Sequence, residues 1–304
     1  MWWHRPPFFE GWSRMESILI YGLINAVMLA LITLGFSLSL GVSGVANLAF
    51  GGFYIFGAYL AWSLLFYLAV PYPLAILISV LVTGLLGALM YWVVLMRVRG
   101  LILSEVIATL ATGIAILEFL RWKGLGLGYE FNLPFFVRGS IDIGGVSLDY
   151  QRLAVIGGGS ILLLLLWFLT HYTKVGLAFR GIAQDEHTAL SLGIRSDWTA
   201  MLSVAFGSAI AAVAAIIILP LSMINVNTGY DVLLIAMAVA VVGGLESFLG
   251  IIVASFILGY AQIITATFFA PHWTMVIYLI AIMVILAVKP SGLFGKFKVI
   301  EERV

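Results

Sequence analysis

KVGLAFRGIAQDEHTALSLGIRSD, residues 174–197, is a polar island between two long apolar stretches, and its position decides how the rest of the chain is read. On either side the sequence is suited to lipid, so this window is where the chain meets water. Between Ile182 and Ile194, apolar Ile182, Ala183, Ala189 and Leu190 gather on one helical face with Gly193, while Gln184, His187, Thr188 and Ser191 take the opposite face. Asp185 and Glu186 fall in the first turn, where carboxylates complement the positive end of the helix dipole. Ala189 and Gly193, four residues apart, form a small surface. The spacing predicts one short amphipathic helix, lying either along the membrane surface or in the groove of a partner protein. A carrier that works alone has little use for such an element; a transporter driven by a separate motor does.

Composition fixes the class around this window. Hydrophobic residues make up 63% of 304 and charged residues 10%, and the mean hydropathy is +1.16. So few charges cannot cover so much apolar surface in water, whereas a bilayer solvates it. A net charge of +1 gives no electrostatic footprint for nucleic acid. Zero cysteines remove disulfides, thiol catalysis and thiolate metal sites. The N-terminal MWWHRPPFFEGWSRMES lacks the ordered regions of a signal peptide, so the first span is expected to insert uncleaved.

A span needs about 20 apolar residues. Candidates lie near 18–40, 53–70, 73–95, 102–121, 153–172, 198–221, 231–245, 249–269 and 274–288. The break GVSGVANLAFGG at 41–52 is uncharged and glycine-rich, readable either as a tight turn or as a re-entrant segment at membrane depth. The count therefore stands at eight or nine. In a nine-span arrangement, nine lysines and arginines fall on one side and six on the other, which predicts the N-terminus outside, with the C-terminus and the polar window inside. The 122–152 segment is the sizeable outside element; SIDIGG followed by VSLDYQR alternates apolar and polar residues, as a short hairpin does. It serves either as a connector or as a docking surface for a soluble substrate-delivery protein.

Catalytic chemistry finds no residues to carry it. GLFGK at 292–296 lacks the spacing of a phosphate-binding loop, no serine has a nucleophile-elbow context, and His4, His171, His187 and His272 have no metal-ligand spacing. No enzyme activity, metal or cofactor is expected. Ionisable residues in or beside the spans are few: Glu105, the Glu118–Arg121 pair one turn apart, and Glu246 in the loop expected after Gly243 and Gly244. Their places near span ends suit interfacial snorkelling, and no midplane carboxylate marks an ion-coupled carrier. Asn25, Asn47, Asn225, Asn227 and Gln262 either bind helices together or line a path. Asn47 is the best candidate for a path, because irregular backbone at membrane depth is tolerated only against protein or a water-filled route. Small residues at Gly84 and Gly87, at 157–159 and at 205–215 let spans approach closely, within this chain or against a second subunit.

These residues carry a family resemblance. GLINAVMLALITLGFSLSLGVSGVANLAFGGFYIFGAYLA at 22–61, RGIAQDEHTALSLGI at 180–194, VVGGLESFLGIIVASFILGYAQ at 241–262 and VKPSGLFGK at 288–296 occur in the order found in permeases of branched-chain amino-acid ABC importers. The chain resembles the first of the two paired permeases. The resemblance implies an all-α polytopic membrane protein, a single permease domain over 1–304 with a cytoplasmic coupling helix in the 173–197 loop. It implies a second permease, two ATP-binding subunits and an extracytoplasmic solute-binding protein as partners, in a prokaryotic cell membrane. It places a substrate pathway at Asn47, Phe50 and Gly51, and coupling to the ATPase at Arg180, Asp185, Glu186, Ala189 and Gly193. Phe50, Gly52, Ile235 and the Tyr91–Trp92 pair stand where the family commonly carries polar residues. These departures leave the substrate open among branched-chain and other amino acids, amides and urea. The alternative is a self-contained carrier or channel driven by an ion gradient; a structural scaffold, with partners but no flux, is the third reading.

Overall fold

The computed structural model describes residues 7–44, 46–125, 131–136, 139–143, 146–222, 224–245, 247–269 and 273–295, with side chains from Met15 onward except at Ile143 and Val146. Among them are the helices α1 (Pro7–Ser43), α2 (Phe50–Phe66), α3 (Tyr72–Val98, wound as a π turn over Tyr91–Leu95) and α4 (Ile102–Trp122). A hairpin of β1 (Ser140–Ile143) and β2 (Val146–Asp149) leads into α5 (Tyr150–Tyr172). The short α6 (Lys174–Gln184) and α7 (Glu186–Ser191) come next, then α8 (Ser196–Leu221, closing in a 3-10 turn). α9 (Val226–Gly243), α10 (Phe248–Phe268) and α11 (Thr274–Val288) complete the set. Seven of these helices are long and apolar enough to cross a membrane, and α2 and α11 are shorter apolar helices, giving nine candidates among the described residues. The chain is a multi-pass membrane protein. His4, Glu246 and His272 lie outside the described residues.

α2 is the centre of the bundle. Its sequence is apolar on every face, the pattern of a helix buried all round, and α3, α4, α8 and α9 surround it. Small residues set these distances. A Cβ on Gly57 would lie 2.5 Å from Ala212 Cβ, and one on Gly87 2.3 Å from Ser208 Oγ. The small run at 205–215 is thus used within the chain, as the face on which α1, α2 and α3 pack. α5, by contrast, exposes Ile161, Leu164 and Phe168 along its length, an apolar surface that the rest of the chain leaves uncovered.

Two amides act as helix glue. Asn25 Nδ2 on α1 donates to Gln262 Oε1 on α10 at 2.6 Å, and Tyr278 on α11 donates to the same oxygen at 2.5 Å. The hairpin has the expected place and an antiparallel register of Ser140↔Asp149 to Ile143↔Val146. Buried Leu148 packs it onto Ile24 and Val155, and Arg152 lies over the Tyr21 ring at 4.6 Å. Glu118 and Arg121 pair at 2.6 Å, as their spacing predicts. Glu105 corrects the snorkelling expectation: it is 6% exposed and turns inward, accepting the Gly100 N–H at 2.7 Å where Gly100 has a positive φ of 89°.

Candidate functional site

The 41–52 break resolves as a helix start inside the protein. α1 continues to Ser43, residues 46–49 are irregular, and α2 begins at Phe50. Thr109 Oγ1 donates to Ala46 O at 3.2 Å, and a Cβ on Gly113 would lie 2.9 Å from Ala49 Cα. Gly113 is the twelfth of the 21 residues of α4, a helix long enough at 1.5 Å per residue to span about 30 Å. The start of α2 is therefore level with the middle of a spanning helix.

The three pathway candidates come together there. Asn47 is 2% exposed, and its Oδ1 accepts the Ala49 N–H at 3.2 Å. Phe50 is fully buried, edge-on to Phe36 with ring centroids 5.8 Å apart. Gly51 meets a partner that sequence reasoning missed: a Cβ on it would lie 2.0 Å from Gly229 O, on the first turns of α9. α9 starts five residues earlier than its hydropathy predicts, because Asn225 caps it by accepting the Asn227 N–H at 3.0 Å. The two starts share a pattern, Asn-x-x-x-Gly at 47–51 and at 225–229, each Asn accepting the N–H two residues on. That repeat was visible in the sequence; the contact between its glycines was not.

At the opposite site the single amphipathic helix expected over 182–194 is broken in two. Asp185 leaves the helical region, with φ −155° and ψ 108°, and closes α6 while capping α7. Its Oδ1 accepts the His187 and Thr188 N–H groups at 2.9 and 3.3 Å, and Thr188 Oγ1 donates to Oδ2 at 2.5 Å. These bonds, the Thr188 hydroxyl first, hold the carboxyl below its usual range. An aspartate offered as an N-cap competes with the helix that would run through it. Gly193 then ends α7 at a positive φ of 84°, with Ile194 N–H donating to Ala189 O and Gly193 N–H to Leu190 O, the Schellman arrangement.

These placements change what the coupling residues present. Ala189 is 2% exposed and packs inward on Val42, Phe179 and Ile182. The open face of the turn is instead Gln184, His187, Leu190 and Leu192. Arg180 lies at the rim of a groove of about 340 Å³ lined by Trp167, His171, Phe179 and Phe248, and its guanidinium donates to His171 O at 3.2 Å. Glu186 is held by Arg99, from the α3–α4 turn, at 2.7 Å. The same guanidinium pairs with Asp197 and donates to Ser196 Oγ at 2.5 Å. Arg99 thus ties α3 to both α7 and the start of α8. In the sequence it was legible only as an orientation charge.

The family described as the branched-chain amino acid transport system / permease component matches residues 18–286. The chain belongs to that family. The match runs from α1 into α11 and so takes in both sites. Among similar proteins are the high-affinity branched-chain amino acid transport system permease protein BraD of Pseudomonas aeruginosa, 27% identical over 91% of this chain and 95% of its own length. LivH of Escherichia coli K12, a permease of the same description, is 25% identical over 88% and 91%. The probable branched-chain amino acid transport permease LivH of Methanocaldococcus jannaschii is 26% identical over 92% and 93%. A solved structure, PsaBC from Streptococcus pneumoniae in complex with Fab, shares the fold with a TM-score of 0.51 and 14% identity, covering 93% of this chain and 97% of that one. The three sequence relatives are transport permeases. Within this family the chain's own departures become intelligible: Phe50 and Tyr91 are buried, and Gly52 lies 3.0 Å, by its added Cβ, from Gly113 O.

Proposed function

We propose that this chain is one of two paired permeases of an ABC importer for branched-chain amino acids, embedded in a prokaryotic cell membrane. The family match over 18–286 carries the reading. ATP is hydrolysed by two separate subunits, which dock on the α6–α7 turn, and a solute-binding protein delivers substrate at the hairpin end. The exposed Gln184, His187, Leu190 and Leu192 supply the docking face, with Arg180 at its edge. Asp185, Ala189 and Gly193 fix its shape, and Glu186 passes its movement to Arg99. Closure of the ATPase pair pulls on α7, and through Arg99 the load reaches α3 and α8, which flank α2. The substrate route passes the start of α2 at Asn47, Phe50 and Gly51. The N-terminus lies outside and the C-terminus inside, so that the basic 97–99 turn and α7 face the cytoplasm.

Capture of the tagged chain from its native membrane in mild detergent tests this reading. Co-purification of ATP-binding subunits and a second permease is expected. Recovery of the chain alone, from membranes in which those subunits are present, would count against it.

A further inference from the structure

The start of α2 holds hydrogen-bond donors with nothing to receive them. A helix N-terminus leaves its first N–H groups without intrahelical acceptors. Here Phe50 N–H finds Asn47 O at 3.1 Å and Ala49 N–H finds Asn47 Oδ1 at 3.2 Å. The Gly51 and Gly52 N–H groups find no acceptor among the described residues. Asn47 adds a third donor: its Nδ2 is buried and has no partner. Because Oδ1 of the same amide is held on Ala49 N–H, Nδ2 is fixed at the helix end. Leaving a buried donor unmet carries a desolvation penalty, and three together are more than packing alone explains.

Charge points the same way. The start of α9 lies against that of α2, and neither helix has an acidic residue in its first turn. Two positive dipole ends therefore meet at the level of the bundle's middle with no carboxylate in either first turn; the one carboxylate on the two helices, Asp231, lies in the second turn of α9. Interrupted membrane helices whose N-termini converge in this way receive anionic groups. A carboxylate fits: its oxygens accept several N–H bonds and it brings no proton that would itself need an acceptor.

We propose that Asn47 Nδ2 with the Gly51 and Gly52 N–H groups is the site that receives the α-carboxylate of an amino acid in transit. The Gly51–Gly229 contact closes over it. The proposal rests on the permease reading above and adds to it the part of the substrate that this chain recognises, a part common to all amino acids.

The test uses the full importer, purified with its partner subunits and reconstituted in liposomes, with labelled leucine as probe. Aspartate and serine accept the N–H two residues on as Asn47 Oδ1 does from Ala49, so Asn47→Asp and Asn47→Ser keep the fold of the turn. Asn47→Asp supplies the missing anion from within and is expected to raise the melting temperature by about 2 °C while lowering leucine uptake roughly tenfold or more. Asn47→Ser removes the amide donor and is expected to lower uptake without that rise. An Asn47→Asp importer that melts at or below the wild type, or takes up leucine within about twofold of it, overturns the site. A wild-type importer that hydrolyses ATP without taking up leucine counts against the branched-chain reading, and the melting comparison still decides whether the donors await an anion.

Discussion

Gly51 and Gly193 are both glycines beside candidate functional residues, and the structure gives them different work. Gly51 is required by a neighbour: its added Cβ would lie 2.0 Å from a carbonyl of α9, backbone that has no flexible end to yield. Gly193 is required by its own backbone, a positive φ of 84° with nothing within 4 Å of an added Cβ. Gly51→Ala should therefore cost about 3 kcal/mol by overpacking and Gly193→Ala about 1 kcal/mol by conformation alone, a difference that thermal unfolding in detergent resolves. Asp185 yields a second expectation. Its carboxyl titrates below the ordinary value when folded, so the cap contributes fully above that ordinary value and is lost as pH falls through the lowered one. The His187 and Thr188 amides should exchange faster from about pH 4 downward, relative to their intrinsic rates; in Asp185→Asn this pH dependence should vanish. Asp185 and Gly193 were both visible in the sequence as residues that matter. Their roles were not, because a cap and a stop have the same composition as the helix face they interrupt.

At the scale of elements, the spans were legible because each is a long apolar run, and their starts were less so. α9 begins at Val226 and not near 231, and α2 at Phe50 and not at 53. In both, an asparagine that accepts the N–H two residues on, at the cap of α9 and two residues before the cap of α2, leads into a first turn of polar or glycine residues, where hydropathy reads a loop. Residues 182–194 read as one helix because periodicity is nearly continuous across Asp185, and only its side-chain bonds reveal the break. Ala189 shares a face with Ile182, as their seven-residue spacing predicts, but that face packs on the end of α1 and is not free for a partner. The tie from Arg99 to Glu186 and Asp197 joins residues distant in sequence, and no spacing rule announces it. If this tie transmits the ATPase stroke, Arg99→Gln should leave ATP hydrolysis by the assembled importer intact and reduce uptake per ATP roughly tenfold. Equal uptake per ATP in the variant would place the path of force elsewhere.

At the scale of the molecule, the nine apolar helices among the described residues, with α2 enclosed by α3, α4, α8 and α9, make a bundle whose centre holds a helix start and not a continuous helix. Its lack of cysteine makes its orientation simple to test. In cells lacking the ATP-binding subunits, an impermeant thiol reagent should label Ser147→Cys in the hairpin from outside. It should label Ser191→Cys at the end of α7 only after the membrane is opened; the reverse pattern would invert the proposed topology. The central claim is that this bundle moves amino acids with energy from separate ATPases. Liposomes carrying the chain with its second permease and ATP-binding subunits, loaded with ATP and supplied with the solute-binding protein outside, test it most directly. Leucine uptake should require both ATP and the binding protein, stop when ATP is replaced by a non-hydrolysable analogue, and persist when proton and sodium gradients are collapsed. Uptake by liposomes holding this chain alone, following an ion gradient and indifferent to ATP, would contradict the account.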